Sequence, residues 1–381
     1  MISVDVTYLG RVMAAVLLLT GLVACADRNQ MPIVPDATEV GTPQTIFATT
    51  TRAIEDDGSY GFRRASELHM AELTVTVPPS HTIGNLSYRH RNPDPARDFT
   101  IAQEEPIPSV ADLRARFARE QRKHGWDQRE VTIFVHGYNS SFSETAYRAA
   151  QMAYDVDVPA SLVIYSWPSR GTTFGYAYDL DSMLFARDGL EETIRRVKAA
   201  GAERIILVAH SMGTALTMEM LRQAELKHPG WAKRTLNGGV ILMAPDIDVD
   251  LFESQLRGLA HFPQPFALMV SEKDTILNLS GRLRGTNKGE RLGNIKSAQR
   301  FKDYPIEVID LTEFNSDAAS GHFLAATSPS LLAMIRAANE VDQALGVEEP
   351  SLLEQFLPQA NAVVLDAGKL RLERQSRRSE R

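Results

Sequence analysis

Leu207-Val208-Ala209-His210-Ser211-Met212-Gly213-Thr214-Ala215 is the stretch on which the fold turns. An apolar, β-branched run closes here and a helical pattern opens at Met212, so Ser211 stands at the corner. A sharp strand-to-helix turn lifts a serine hydroxyl clear of the sheet, where it can act as a nucleophile. So tight a turn requires small residues two positions before and two after. Gly213 meets the requirement, and Ala209 stands where glycine is usual, adding one methyl. The bare string also describes an ordinary turn serine. The strand before it and the helix after it favour the corner.

Working outward, apolar runs alternate with amphipathic stretches. Strands are predicted over Gln44–Thr50, Leu73–Val77, Val131–Val135, Ser161–Ser166, Arg204–Val208, Gly238–Met243, Phe266–Val270 and Ile306–Leu311. Helices are predicted over Ser109–Arg122, Ser143–Tyr154, Asp188–Ala200, Met212–Lys227, Val249–Gly258 and Pro329–Leu345. Short β-branched runs without polar alternation suit strands covered on both faces. From Val131 onward the alternation implies βαβ units in one mostly parallel, doubly wound α/β sheet flanked by helices, with the first two strands as an antiparallel edge.

A serine hydroxyl needs a base to remove its proton as it attacks. Beyond such a corner the acid and the histidine follow in that order. Three histidines come after Ser211. His228 lies where a helix stops, and His261 precedes a strand at the end away from the serine. His322 lies in a small polar loop after Ile306–Leu311, at the carboxyl edge where sites of parallel sheets collect. It is the expected base. Asp274, after Phe266–Val270, is the expected acid. Asp246 is the alternative; it and Asp248 also read as helix caps or loop braces, and Glu272 is a weaker candidate. The oxyanion donors are expected to be the amides of Met212 and Tyr138. The Tyr138 amide lies in the loop His136-Gly137-Tyr138-Asn139-Ser140-Ser141, where Gly137 allows close approach and His136 braces the loop. His136 as base would break the chain order. Tyr165, Trp167, Phe174, Tyr176, Tyr178 and Phe185 form a dense aromatic set, read as core packing or as a wall of the pocket. The gap from Ser166 to Asp188 leaves no room for a bulky lid.

These residues carry a resemblance. The chain resembles the α/β-hydrolases. More narrowly, it is similar to a bacterial family of esterase- and lipase-like proteins that pairs His-Gly-Tyr-Asn (His136–Asn139) with Ser-Trp-Pro-Ser (Ser166–Ser169) and Ala-Pro-Asp-Ile-Asp (Ala244–Asp248). The resemblance runs from about Gln44 to Leu345. It implies a serine hydrolase that cleaves carboxylic esters through an acyl-enzyme, with Ser211, Asp274 and His322 as triad and no cofactor. Amide or thioester hydrolysis would use the same machinery. A non-catalytic envelope protein binding or assembling on the same scaffold is the other reading.

The amino-terminal region implies a location. Arg11 precedes a run of thirteen apolar or small residues, Val12–Ala24, too short to span a bilayer but suited to a secretory signal. The run ends Leu22-Val23-Ala24-Cys25, which resembles the lipobox of bacterial lipoproteins, and Cys25 is the one cysteine of the chain. The resemblance implies cleavage before a lipidated Cys25 and a protein held at the bacterial envelope facing the periplasm, at the outer rather than the inner membrane. Residues 1–24 are then a signal, 25–43 a partly extended tether, 44–365 one α/β domain and 366–381 a basic, solvated tail. The expected substrate is an acyl ester, whether small molecule, lipid or cell-wall polymer.

Composition closes off other classes. Of 381 residues, 44% are hydrophobic and 23% charged, a globular balance. With 41 Lys+Arg against 48 Asp+Glu the net charge is −7, a poor electrostatic match to nucleic acid. One cysteine and nine scattered histidines give no metal-ligand spacing, and no P-loop or dinucleotide-binding glycine pattern occurs.

Overall fold

The computed structural model describes residues 28, 30–126, 129–158, 160–172 and 175–272, and beyond them 274, 277, 280, 291–293, 300–301, 303–312, 327, 332 and 369–371. Residues 1–24, read as a signal, and Cys25, Phe174, His322 and nearly all of the helix predicted over Pro329–Leu345 lie outside these residues. In chain order the elements are β1 (Thr42–Ile54), β2 (Tyr60–Val77), β3 (Thr100–Pro106), α1 (Val110–His124), β4 (Glu130–Val135), α2 (Phe142–Val156), β5 (Ser161–Ser166), α3 (Tyr176–Ala199), β6 (Arg204–His210), α4 (Met212–Lys227), α5 (Trp231–Thr235), β7 (Gly239–Met243), α6 (Val249–Leu256), β8 (Phe266–Val270), β9 (Glu307–Asp310) and β10 (Lys369–Arg371).

The sheet runs β10-β9-β8-β7-β6-β4-β5-β1-β2-β3. Every pair from β10 to β1 is parallel, and only β1–β2 and β2–β3 are antiparallel. Both faces are covered, which is why the strands read as unbroken apolar runs. Val131, Ile133 and Val135 of β4 and Ile205, Leu207 and Ala209 of β6 pack into one core with Leu190, Ile194 and Val197 of α3 and Leu216 and Met220 of α4. Phe134, Ile206 and Val208 face the other way, onto Phe142, Ala146, Tyr147 and Ala150 of α2. Each fully buried aliphatic side chain contributes ~1.5–3 kcal/mol.

Chain order reverses about β4, with β5 on one side and β6 on the other. The loops leaving β4 and β6 therefore diverge and open a crevice at their carboxyl ends, the place where parallel α/β sheets bind ligands. The His-Gly-Tyr-Asn loop leaves β4 and Ser211 leaves β6. The β1–β2 hairpin overhangs the same edge: β1 pairs with β5 only over Phe47–Thr50, and two register shifts carry it on to Ile54.

Four expectations are corrected. β3 was not foreseen, because Gln103, Glu104, Glu105 and Pro106 make it read as a loop; its charges and proline suit the sheet edge it occupies. α3 starts at Tyr176 rather than at Asp188, with Gly175 as N-cap and no side-chain cap to mark the start. The segment read as tether lies on the body from its apolar positions: the Val34 amide donates to the Ile101 carbonyl at 2.9 Å, and a turn over Pro35–Glu39 buries Ala37. Lys369–Arg371, assigned to a solvated tail, pairs in parallel with β9 instead.

Candidate active site

Ser211 has φ 52° and ψ −123°, a left-handed backbone that a serine rarely adopts. Strain of this kind costs about 1–3 kcal/mol and persists only where the surroundings fix it. Here they do. The Ser211 amide donates to the Met243 carbonyl on β7 at 3.0 Å, and the Ser211 carbonyl accepts from the Thr214 hydroxyl at 2.6 Å and the Thr214 amide at 3.0 Å. A Cβ on Gly213 would collide with the carbonyls of His136 and Val135. One on Gly137 would sit 2.9 Å from both the Ser211 Cβ and the His210 Nδ1. The two glycines let the β4 loop and the start of α4 touch. The tolerated Ala209 is fully buried, opposite Val135.

This contact brings the His136–Gly137 backbone against the serine corner and its helix N-terminus, which carries the Met212 amide. His136 is buried, its Nδ1 2.7 Å from the Gly137 carbonyl and its Nε2 3.1 Å from the Trp167 carbonyl. Burial, helped by the nearby Arg52, pushes the imidazole pKa down to about 3, so the ring is neutral and can donate to only one of them. The Trp167 indole N–H returns a bond to the His136 carbonyl at 2.8 Å. Through these contacts His136 and Trp167 join the loop after β4 to the loop after β5.

The two aspartates differ. Asp246 forms a buried ion pair with Arg291. Its Oδ1 accepts from Arg291 Nε at 2.8 Å and Ser280 Oγ at 2.6 Å, its Oδ2 from the Tyr176 hydroxyl at 3.1 Å, and its amide lies 3.4 Å from the Ser211 carbonyl. It props the corner from behind. Asp248 caps α6, accepting from the amides of Asp250 and Leu251. Asp274 follows β8 and is buried, with Oδ1 accepting the Leu277 amide at 3.1 Å. The chain leaves β9 beside it: the Leu311 amide bonds the Val270 carbonyl at 2.8 Å, and the Glu272 amide donates to the Thr312 hydroxyl at 2.9 Å. His322, the expected base, lies further along the chain and outside the described residues. His228 is the exposed C-cap of α4, and His261 lies near Gly230 at the opposite end of that helix from Ser211.

Sequence reasoning missed three residues that frame the crevice. Arg52 is fully buried; its Nε donates to Ser166 Oγ at 2.9 Å, its Nη1 to the carbonyls of Gly61 and Ser169 at 3.0 Å, and its Nη2 to the Ser140 carbonyl at 2.7 Å. Burial lowers its pKa to about 10, with Asp179 and Glu144 opposing. Asp179 accepts from Ser169 Oγ at 2.6 Å, and burial raises its pKa against that bond. Arg28 reaches Asn139 Oδ1 at 2.8 Å, the Gly171 carbonyl at 2.7 Å and both carboxylate oxygens of Glu144. A lone charge in an apolar strand such as β1 was the signal for Arg52; nothing in the sequence marked its partners. Of the aromatic set, Tyr165 and Trp167 are fully buried core, Tyr176 touches the site through Asp246, and Phe185 is exposed.

Residues 111–338 match a family model described as an alpha/beta hydrolase of unknown function (DUF900). No curated protein matches the chain. Among solved structures, an esterase from Pyrobaculum calidifontis is 11% identical with a TM-score of 0.37, covering 90% of this chain and 93% of its own. Esterase 2 of Thermogutta terrifontis is 10% identical with a TM-score of 0.36, covering 79% and 97%. An esterase of Rhizomucor miehei is 12% identical with a TM-score of 0.32, covering 86% and 91%.

Proposed function

The chain belongs to this family of α/β hydrolases of unknown function, and from that premise we propose that it is a serine hydrolase acting on carboxylic esters through an acyl-enzyme. Ser211 attacks the ester carbonyl while His322 takes its proton. The tetrahedral oxyanion is held by the amides of Met212 and Tyr138. His322 then protonates the leaving alcohol, and water repeats the sequence to release the acid. Asp274 accepts the imidazole N–H and stabilises the imidazolium formed in each half. Lipidation at Cys25 holds the enzyme at the bacterial envelope, facing the periplasm.

The observation that carries the reading is the backbone of Ser211, held at φ 52° between two glycines that admit no side chain. Such strain has no structural use that a glycine would not serve better. The test is hydrolysis of a short p-nitrophenyl ester by the purified protein, with labelling by a fluorophosphonate. Ser211→Ala is expected to lower turnover ~10⁴–10⁶-fold and abolish labelling. Unchanged turnover removes Ser211 from the mechanism.

A further inference from the structure

Next to the crevice lies a surface that the proposed reaction does not use. The Arg64 guanidinium sits 4.5 Å above the Tyr178 ring, and that of Arg170 sits 5.2 Å from the Phe62 ring and 5.7 Å from the Tyr178 ring. Phe62 and Tyr178 meet edge to face at 5.9 Å. Both arginines are exposed, and among the described residues neither pairs with a carboxylate, unlike Arg63 beside them, which binds Glu55. Phe185, 40% exposed, lies seven residues after Tyr178 and so on the same face of α3. On a chain with net charge −7, this is a local concentration of positive charge and amphipathic rings.

Its position is fixed relative to the serine corner. The patch reaches the oxyanion loop through the segment after β5: Arg170 adjoins Gly171, whose carbonyl shares Arg28 with Asn139, and the Tyr138 hydroxyl donates to the Thr172 carbonyl at 3.0 Å. The apolar run Val12–Ala24 ends four residues before Arg28. Four residues span at most ~14 Å. Any attachment of the amino-terminal region to a bilayer therefore holds this rim of the crevice close to the lipid.

We propose that the Phe62–Arg64–Arg170–Tyr178 surface rests on the membrane, with the guanidinium groups against lipid phosphates and the rings at headgroup depth. The crevice then opens at the bilayer surface, and its substrates are the acyl esters of membrane lipids. This rests on the serine-ester-hydrolase reading and narrows its substrate class. Arginine near an anionic surface attracts it, and interfacial aromatic rings suit the boundary between headgroups and acyl chains.

The test uses the full chain reconstituted in vesicles of neutral lipid, with and without 30 mol% anionic lipid. Three readouts are a soluble p-nitrophenyl ester, a fluorogenic acyl-ester lipid in the bilayer, and quenching of a Phe185→Trp reporter by brominated lipid. Wild type is expected to cleave the bilayer ester faster when anionic lipid is present. Arg64→Gln with Arg170→Gln should lose about 10- to 30-fold of that rate, with soluble-ester turnover unchanged. The added tryptophan should be quenched, less so in the double variant. An unquenched reporter, or equal bilayer rates in wild type and double variant, overturns the membrane-facing surface while Ser211-dependent soluble turnover leaves the parent reading standing. Soluble turnover that survives Ser211→Ala overturns the parent reading instead.

Discussion

The imidazole of His136 and the indole of Trp167 lie parallel, centroids 4.9 Å apart and planes 6° apart; the indole N–H donates to the His136 carbonyl, and the His136 Nε2 lies 3.1 Å from the Trp167 carbonyl. This clasp joins the loop after β4 to the loop after β5, and the first of these carries a proposed oxyanion donor. Trp167→Phe leaves the buried His136 carbonyl without its partner. That is expected to cost about 1–3 kcal/mol, read as a lowered denaturation midpoint, with ester turnover reduced before the fold is lost.

Acid should loosen the same clasp. The folded His136 stays neutral down to about pH 3, whereas in the unfolded chain it protonates near ~6.5. The unfolded state therefore binds more protons between these values, and stability present above pH ~6.5 is lost as pH falls toward 3, by up to ~1.4 kcal/mol per unit. For Glu144, burial raises the pKa, but the His90 bond, Arg28 and the Ser141 amide outweigh it and bring it to about 2. Its contribution is present above ~4.5 and lost as pH falls toward 2. Melting curves from pH 7 to pH 4 should be steeper in pH for wild type than for His136→Gln; parallel curves would refute this account of His136.

Removing the strain at the corner should separate stability from activity. Ser211→Gly relaxes the φ 52° backbone and is expected to raise stability by about 1 kcal/mol while ending turnover. Chemical denaturation alongside the ester assay reads both. Gly213→Ala should lower stability and turnover together, since the added methyl meets two backbone carbonyls of the β4 loop rather than a side chain that can move.

The two aspartates should fail differently. Asp274→Asn is expected to lower turnover ~10⁴-fold with little change in melting, because an amide favours the wrong imidazole tautomer. Asp246→Asn leaves Arg291 buried beside a neutral partner, at a cost of about 3–5 kcal/mol, so its signature is a large drop in melting temperature. The opposite pattern would exchange their roles.

Arg28 bonds Asn139, itself at φ 60°, through both the side-chain and the backbone oxygen. Arg28→Ala should lower kcat for a soluble ester several-fold with little change in KM, and Arg28→Lys should restore only part of it, because lysine cannot fork to Glu144. A change confined to KM would place Arg28 in substrate binding rather than in loop positioning.

What could be read from the sequence was what rests on local pattern. β5, α4 and β8 fall on their predicted limits because a buried parallel strand and a capped or cornered helix declare themselves in a few residues. The strand-to-helix corner at Ser211 was legible for the same reason. The rest depends on partners far apart in the chain. Arg52 meets Ser140 and Ser169 across 88 and 117 residues, and Asp246 meets Arg291 across 45. No spacing rule connects such positions. β3 escaped notice because an edge strand keeps polar residues that a central one would exclude.

The buried guanidinium of Arg52 has a practical consequence for dissecting the protein. The family model matches only from residue 111, yet the carbonyls that shape the crevice are neutralised by a side chain from the β1–β2 hairpin, about sixty residues earlier. A minimal fragment cut to the shared region would strip away that ligand and uncover the flank of β5. Ancestry and autonomy are not expected to share a border in this chain: a fragment limited to residues 111–338 should be less stable than one that keeps the β1–β2 hairpin.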